Sequence, residues 1–184
     1  MIDYVGAKTL LNVEQFAQLP EDEAIRYELD QGELIEVSGP TYQHNRIRGK
    51  IETALNLFLG EQLLGEAVAE QEFRISKDTV RRPDVAFIRR EAAARIDKSR
   101  SILECVPDLV IEIVSPNDAA EQVMRRVGQY LTHGSRAVWV VYPVERKILA
   151  YGPNDEVRAL GEGKNLEAPA VLPGFSMAVS RIFE

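Results

Sequence analysis

Two carboxylates lie within or at the start of apolar stretches of the sequence. Glu112 is inside CVPDLVIEIVSP, residues 105–116, and Asp84 begins the apolar run of RRPDVAFI. An ionised, unpaired carboxylate in an apolar setting is very unfavourable, so Glu112 must be neutral, paired with a base or bound to a cation. Two carboxylates on neighbouring strands repel each other unless a cation lies between them. Mg²⁺ fits such an incomplete oxygen shell. The competing interpretation is a salt bridge from Glu112 to an arginine.

The elements that must position these carboxylates are strands. In PDLVIEIVS, alternation places Leu109, Ile111 and Ile113 on one face of a strand and Glu112 on the other. EAVAEQEFRIS and PDVAFIR predict earlier strands, IRYELDQGELIEV a hairpin, and RAVWVVYP with RKILAYGP a second hairpin. The strand PDLVIEIVS, the helix after it and the strand RAVWVVYP should form a parallel crossover. The order predicts an α/β protein with a mixed central sheet flanked by helices.

Two longer helices are predicted, over about 42–64 and about 119–133. On the first, Ile47, Ile51 and Leu55 follow the helical period and mark its buried stripe. His44 falls on the same stripe, one turn earlier. A histidine in this place is either a satisfied core residue or a group that orders water or contacts phosphate.

Composition limits the class of protein. The chain has 184 residues, a net charge of −7 and one cysteine, which predicts one domain over residues 1–184 and a reducing cytoplasm. No signal peptide or membrane-spanning segment is predicted. Nine basic residues and only four acidic ones lie between Arg74 and Arg100. This segment is either a set of solvated loops or a local basic surface for a polyanion.

The motifs together resemble a known family. Pro83-Asp84 and Glu112-Ile113-Val114 are similar to the half-motifs of the PD-(D/E)xK nuclease superfamily. More narrowly, RYELDQGELIEV, HNRIRGKI, RRPDVAFI, PDLVIEIVSPND and YLTHGSRAVWVVYP resemble the Uma-type family of predicted restriction endonucleases, in order and in spacing.

This resemblance implies a restriction-endonuclease-like fold and a DNA endonuclease that uses Mg²⁺ or Mn²⁺. Asp84, Glu112 and the Ile113 carbonyl would hold the metal ion, with His44 as an auxiliary group and Glu28 in a supporting role. Homodimers are expected by analogy with nucleases that cut two strands.

The chain departs from the superfamily pattern at the lysine, whose position is Val114. The resemblance to the Uma-type family implies that the lysine has moved to the following helix, four residues before a tyrosine. That tyrosine is Tyr130, so the lysine position is Arg126 in this sequence. By the helical period Arg126 flanks the stripe that contains Val127 and Tyr130, so it can approach Glu112. Arginine stabilises phosphate charge but cannot act as a base near neutral pH.

Three interpretations therefore stay open. The first is an active nuclease, with Asp84, Glu112, Arg126 and His44 as its candidate catalytic residues. The second is a degenerate nuclease fold that binds nucleic acid or a protein partner without cleaving. The third is a structural protein in which Arg126 simply neutralises Glu112.

Overall fold

The computed structural model describes residues 10–20, 25–37, 39–60 and 62–184. The predicted domain boundaries at residues 1 and 184 are not tested by it, and residues 1–9 lie outside the described part. The elements in chain order are α1 (Val13–Phe16), β1 (Arg26–Asp30), β2 (Glu33–Val37), α2 (Tyr42–Gly60), β3 (Gly65–Ala69), β4 (Glu72–Ser76), β5 (Thr79–Arg81), β6 (Val85–Arg89), α3 (Arg90–Ala93), β7 (Ile102–Leu103), β8 (Leu109–Ile113), α4 (Ala120–Thr132), β9 (Ala137–Tyr142), β10 (Lys147–Tyr151), β11 (Val157–Leu160), β12 (Asn165–Ala168), β13 (Leu172–Ala178) and α5 (Val179–Phe183).

The central sheet has six strands in the order β11-β10-β9-β8-β6-β3. Strands β8 and β9 are parallel and are joined through α4, as predicted for the crossover. The other neighbours in this sheet pair antiparallel, including the predicted hairpin β9–β10. The predicted α/β class with a mixed sheet and flanking helices is confirmed.

The two faces of β8 belong to two separate cores, as the alternation predicts. Leu109, Ile111 and Ile113 pack with the buried side of α2 and with α5. Val110 packs on the opposite face with the buried side of α4. Among the described residues, no helix combines the length and the apolar character needed to cross a membrane.

The stretch EAVAEQEFRIS does not form the single strand that its composition predicts. It is divided at Glu70, whose φ of 51° lies in the left-handed region, into β3 and β4. Strand β3 is at the edge of the six-stranded sheet, whereas β4 joins a second sheet of order β2-β1-β5-β4-β7. The predicted hairpin β1–β2 is present, and its turn has positive φ at Gln31 and Gly32. The chain changes sheets at Glu70 without a glycine or proline to signal the break.

The predicted basic surface between Arg74 and Arg100 is largely neutralised by carboxylates. Arg81 is only 3% exposed and pairs with Glu28 and Asp30. Four other arginines of the segment, Arg74, Arg82, Arg89 and Arg100, also pair with acidic residues that lie outside it. The fold therefore uses part of the charge of this segment internally, and its interpretation as a basic surface for a polyanion stays a prediction.

Candidate functional site

Asp84 and Glu112 lie side by side on paired strands. Strands β6 and β8 are antiparallel with Val85 opposite Ile111, so Asp84, one residue before β6, lies opposite Glu112. The backbone N–H of Ile113 donates a 2.6 Å hydrogen bond to Oδ2 of Asp84. This bond ties the start of β6 to the end of β8 and fixes the Asp84 carboxylate beside the Ile113 backbone.

These residues share one cleft of about 80 Å³. The sequence predicts five residues for the site, and all five line this cleft: His44, Asp84, Glu112, Ile113 and Arg126. The ionisable lining comprises three arginines, one histidine and five carboxylates, the latter being Glu28, Glu70, Asp84, Glu112 and Asp118. Negative charge therefore exceeds the permanent positive charge of the lining.

Glu112 is the most deeply buried carboxylate of the pair, at 7% exposure. Burial raises its pKa to about 7, and the negative charges of Asp84 and Glu28 act in the same direction. Arg126 and a hydrogen bond from Tyr130 oppose this rise. Near neutral pH the carboxyl can therefore be found in either protonation state, and a cation would favour the charged one.

Arg126 approaches Glu112 from α4. Its Nε lies 3.4 Å from Oε2 of Glu112, and its Nη2 lies 3.6 Å from Oδ1 of Asp118. Although burial lowers it, these two carboxylates hold the pKa of Arg126 above its usual value. The buried Nε has no hydrogen-bond acceptor within the described residues. The ion pair agrees with the third interpretation, but its loose geometry leaves a donor unused.

His44 holds the other side of Asp84. Its Nε2 lies 3.1 Å from Oδ1 of Asp84, and the ring is buried in the first turn of α2. Burial lowers the pKa of His44, but Asp84 outweighs this and raises it above its usual value. The buried Nδ1 has no hydrogen-bond partner among the residues that the structure describes. His44 thus orients one candidate metal ligand and retains an unused ring nitrogen.

Two residues of the site escape prediction from the sequence. Tyr130, which the helical period identifies only as a core residue, donates a 2.8 Å hydrogen bond to Oε1 of Glu112. Asp118 resembles the N-cap of the following helix, but it instead accepts a hydrogen bond from the N–H of Ser115 and faces Arg126. The signal for Tyr130 was its place one turn after Arg126, on the same side of α4.

A buried polar cluster supports this arrangement from the second sheet. Arg81 donates to Glu28 and to Gln129 and pairs with Asp30, while Gln129 donates to Asp30. Gln129 precedes Tyr130 on α4, so the cluster joins α4 to β1 and β5. Glu28, for which the resemblance implies a supporting role, belongs to this cluster and also lines the cleft.

The donor set of the cleft fits a magnesium-type ion. Among the described residues, no three or more His, Cys, Asp or Glu side chains form a ready-made cage for a metal ion. Mg²⁺ does not require such a cage, since it is commonly bound by one or two carboxylates together with waters and substrate phosphates. Asp84, Glu112 and the Ile113 carbonyl offer this kind of partial shell, and the excess of carboxylates in the cleft favours a cation.

Comparisons with known proteins identify a family and a fold. Residues 13–180 match the sequence model of the Uma2 family, described as "Putative restriction endonuclease". A crystal structure from Anabaena variabilis, described as a "putative nuclease belonging to DUF820", has the same fold, with a TM-score of 0.84 and 21% sequence identity. The similarity covers 94% of this chain and 97% of that one. None of the curated proteins matches the chain.

Proposed function

The chain belongs to the Uma2 family, and we propose that it is a metal-dependent endonuclease that hydrolyses phosphodiester bonds of DNA. The observation that carries this proposal is the convergence of Asp84 and Glu112, from paired strands, in a cleft with an excess of carboxylates. The family description supports nuclease chemistry. Metal dependence is inferred from the oxygen ligands that the cleft offers. DNA is inferred as the substrate because the family is described as restriction endonucleases.

Asp84, Glu112 and the carbonyl of Ile113 would hold the ion. A divalent ion bound there supplies charge neutralisation for the scissile phosphate and a lower pKa for an attacking water. Mg²⁺ is the expected ion, and Mn²⁺ is an alternative with the same preference for oxygen ligands.

The other side chains prepare the cleft for this chemistry. His44 and the Ile113 N–H hold the two oxygens of Asp84, so that the carboxylate cannot rotate freely. Tyr130 does the same for one oxygen of Glu112. Arg126, with its unused Nε, stabilises negative charge on the phosphate but does not remove a proton. The residue that takes the proton from water is therefore not Arg126.

A second candidate function is nucleic-acid binding without cleavage, or binding of a protein partner. It is favoured by one observation: Arg126 already lies against Glu112, where an active enzyme needs the carboxylate for the metal ion. Val114 in place of the superfamily lysine also favours this second candidate. The first candidate predicts DNA cleavage that depends on Glu112, whereas the second predicts no cleavage.

Cleavage of supercoiled plasmid tests the proposal. Wild type, Asp84→Asn and Glu112→Gln would be incubated with plasmid, single-stranded DNA and RNA, in Mg²⁺, in Mn²⁺ and in chelator. We expect nicking by the wild type only, and only with metal, because both substitutions remove a charged ligand while preserving side-chain shape. Equal activity of all three proteins would indicate a contaminating nuclease, and inactivity of all three with retained DNA binding would favour the second candidate.

Assembly and location remain predictions that follow from the proposed function. A homodimer would present two clefts to the two strands of a duplex, and light scattering of the purified protein measures its mass. Action on intracellular DNA would require a cytoplasmic protein, which cell fractionation checks.

A further inference from the structure

We infer that Arg82 and Arg26 form a subsite for a nucleic-acid phosphate adjoining the scissile one. This inference rests on the proposed function and names two residues of the substrate-binding surface. Both arginines also form ion pairs with glutamates of the chain, Arg82 with Glu72 and Arg26 with Glu70.

Arg82 is fixed in place but only partly satisfied. Its backbone N–H donates to Oε1 of Glu28, and its Nη2 donates a 2.6 Å hydrogen bond to Glu72. The Nε of Arg82 is buried and has no hydrogen-bond acceptor in the described part of the chain. A buried guanidinium donor without an acceptor is unfavourable, and because Arg82 lines the cleft, an anionic ligand bound there could satisfy it.

Two other residues of the cleft also have a buried nitrogen without a hydrogen-bond partner. His44 Nδ1 and Arg126 Nε are also buried nitrogens without hydrogen-bond partners, and both residues line the same cleft as Arg82. Three of the five buried side-chain nitrogens without partners in the described part of the chain thus belong to residues of this cleft, where a ligand rich in acceptor oxygens would satisfy them. A phosphodiester backbone has this chemistry, and arginine binds phosphate oxygens with two nitrogens at once.

Arg26 extends the subsite along the cleft. It lines the cleft beside Arg82 and donates a 3.0 Å hydrogen bond to Glu70, which also pairs with Arg48. Arg26 and Arg82 both line an adjoining hollow as well, so they stand where the cleft opens into the neighbouring surface. A nucleic-acid strand that extends from the candidate metal ligands into this hollow would therefore meet residues Arg26 and Arg82.

Arg89 provides a matched control for Arg82. The side chains are 29% and 31% exposed, each pairs with one carboxylate, and each has one buried nitrogen without a partner. Arg89 pairs with Asp108 and does not line the cleft. Arg100 is a similar control for Arg26, since both are exposed and both pair with a glutamate.

The test measures binding of fluorescein-labelled DNA oligonucleotides, single-stranded and duplex, by anisotropy with Ca²⁺ in place of Mg²⁺. Arg82→Gln should weaken binding about tenfold, as expected for loss of a charge-assisted contact. The slope of log affinity against log salt should also fall by about 0.9 for the duplex. Arg89→Gln removes the same charge and should stay within about twofold of wild type, because Arg89 does not line the cleft and solvent and salt screen charges far from the ligand.

Arg26→Gln against Arg100→Gln repeats the comparison at exposed positions, where substitution does not endanger folding. Selective loss of binding in Arg82→Gln or Arg26→Gln supports the subsite, whether or not the protein cleaves. Equal losses in each variant and its control overturn the subsite, as does a wild type that binds neither oligonucleotide. The plasmid assay tests the proposed function separately, since it depends on Asp84 and Glu112 and not on this comparison.

Discussion

The hydroxyl of Tyr130 donates a 2.8 Å hydrogen bond to Glu112, and both side chains are buried. This contact joins the last turn of α4 to the end of β8. Because Arg126 and Tyr130 are four residues apart on α4, both reach the same carboxylate from one face of the helix. The orientation of Glu112 therefore depends on how α4 is docked.

Removing this hydroxyl should weaken metal binding at the site without leaving a cavity in the core. In Tyr130→Phe the ring remains, but Glu112 loses a hydrogen bond that lowers its pKa. We expect Mg²⁺ affinity near pH 7 to fall several-fold and the free energy of unfolding to fall by about 1–2 kcal/mol. Tyr151→Phe is the control, because that hydroxyl donates only to the sulfur of Met124. Equal effects in the two variants would contradict a special role for Tyr130.

The buried cluster around Arg81 should be necessary for stability. Arg81→Met leaves Glu28 buried without its charged partner and Asp30 with only the exposed Arg125, so the free energy of unfolding should fall by about 3–5 kcal/mol. Chemical denaturation measures this loss. Arg158→Gln breaks the exposed pair with Glu156 and should leave the midpoint nearly unchanged. A small effect of Arg81→Met would show that α4 is docked by its apolar side alone.

The pKa of Glu112 predicts a pH dependence of stability. Its folded-state value of about 7 is above the ordinary 4.5, so between these values the folded protein holds a proton that the unfolded chain releases. Stability should therefore fall as pH rises from about 4.5 to 7, by roughly 3 kcal/mol at most.

Glu112→Gln isolates this contribution, because a glutamine does not titrate. Relative to wild type, the variant should gain stability between pH 5 and pH 8, as measured by denaturation in metal-free buffer. A parallel pH dependence of the two proteins would show that Glu112 keeps one protonation state throughout this range.

Arg126→Lys restores the residue type that the family resemblance implies. A lysine places a compact charge near the cleft and lacks the planar guanidinium with which arginine binds two oxygens at once. If the protein is a nuclease, metal-dependent nicking should be retained or increased. Arg125→Lys is the neighbouring control, since Arg125 is exposed and faces Asp30. Loss of thermal stability without any activity would favour the purely structural pairing of Arg126 with Glu112.

Much of the site follows from local sequence patterns, whereas its supporting contacts do not. Alternation along β8 is enough to separate Glu112 from Ile111 and Ile113. Arg81 looks like one more basic surface residue, because its partner Glu28 lies 53 positions earlier. No local pattern reports such a distant pairing, and none marks the change of sheet at Glu70.

Titration of the purified protein with Mg²⁺ and with Mn²⁺ by calorimetry tests the central claim most directly. The wild type should bind one ion per chain at the cleft, and both Asp84→Asn and Glu112→Gln should abolish or greatly weaken this binding while remaining folded. The affinity of the wild type should increase as the pH rises through about 7, because Glu112 must lose its proton to bind the ion. Absence of binding to the wild type, or undiminished binding to both variants, would contradict the assignment of Asp84 and Glu112 as metal ligands.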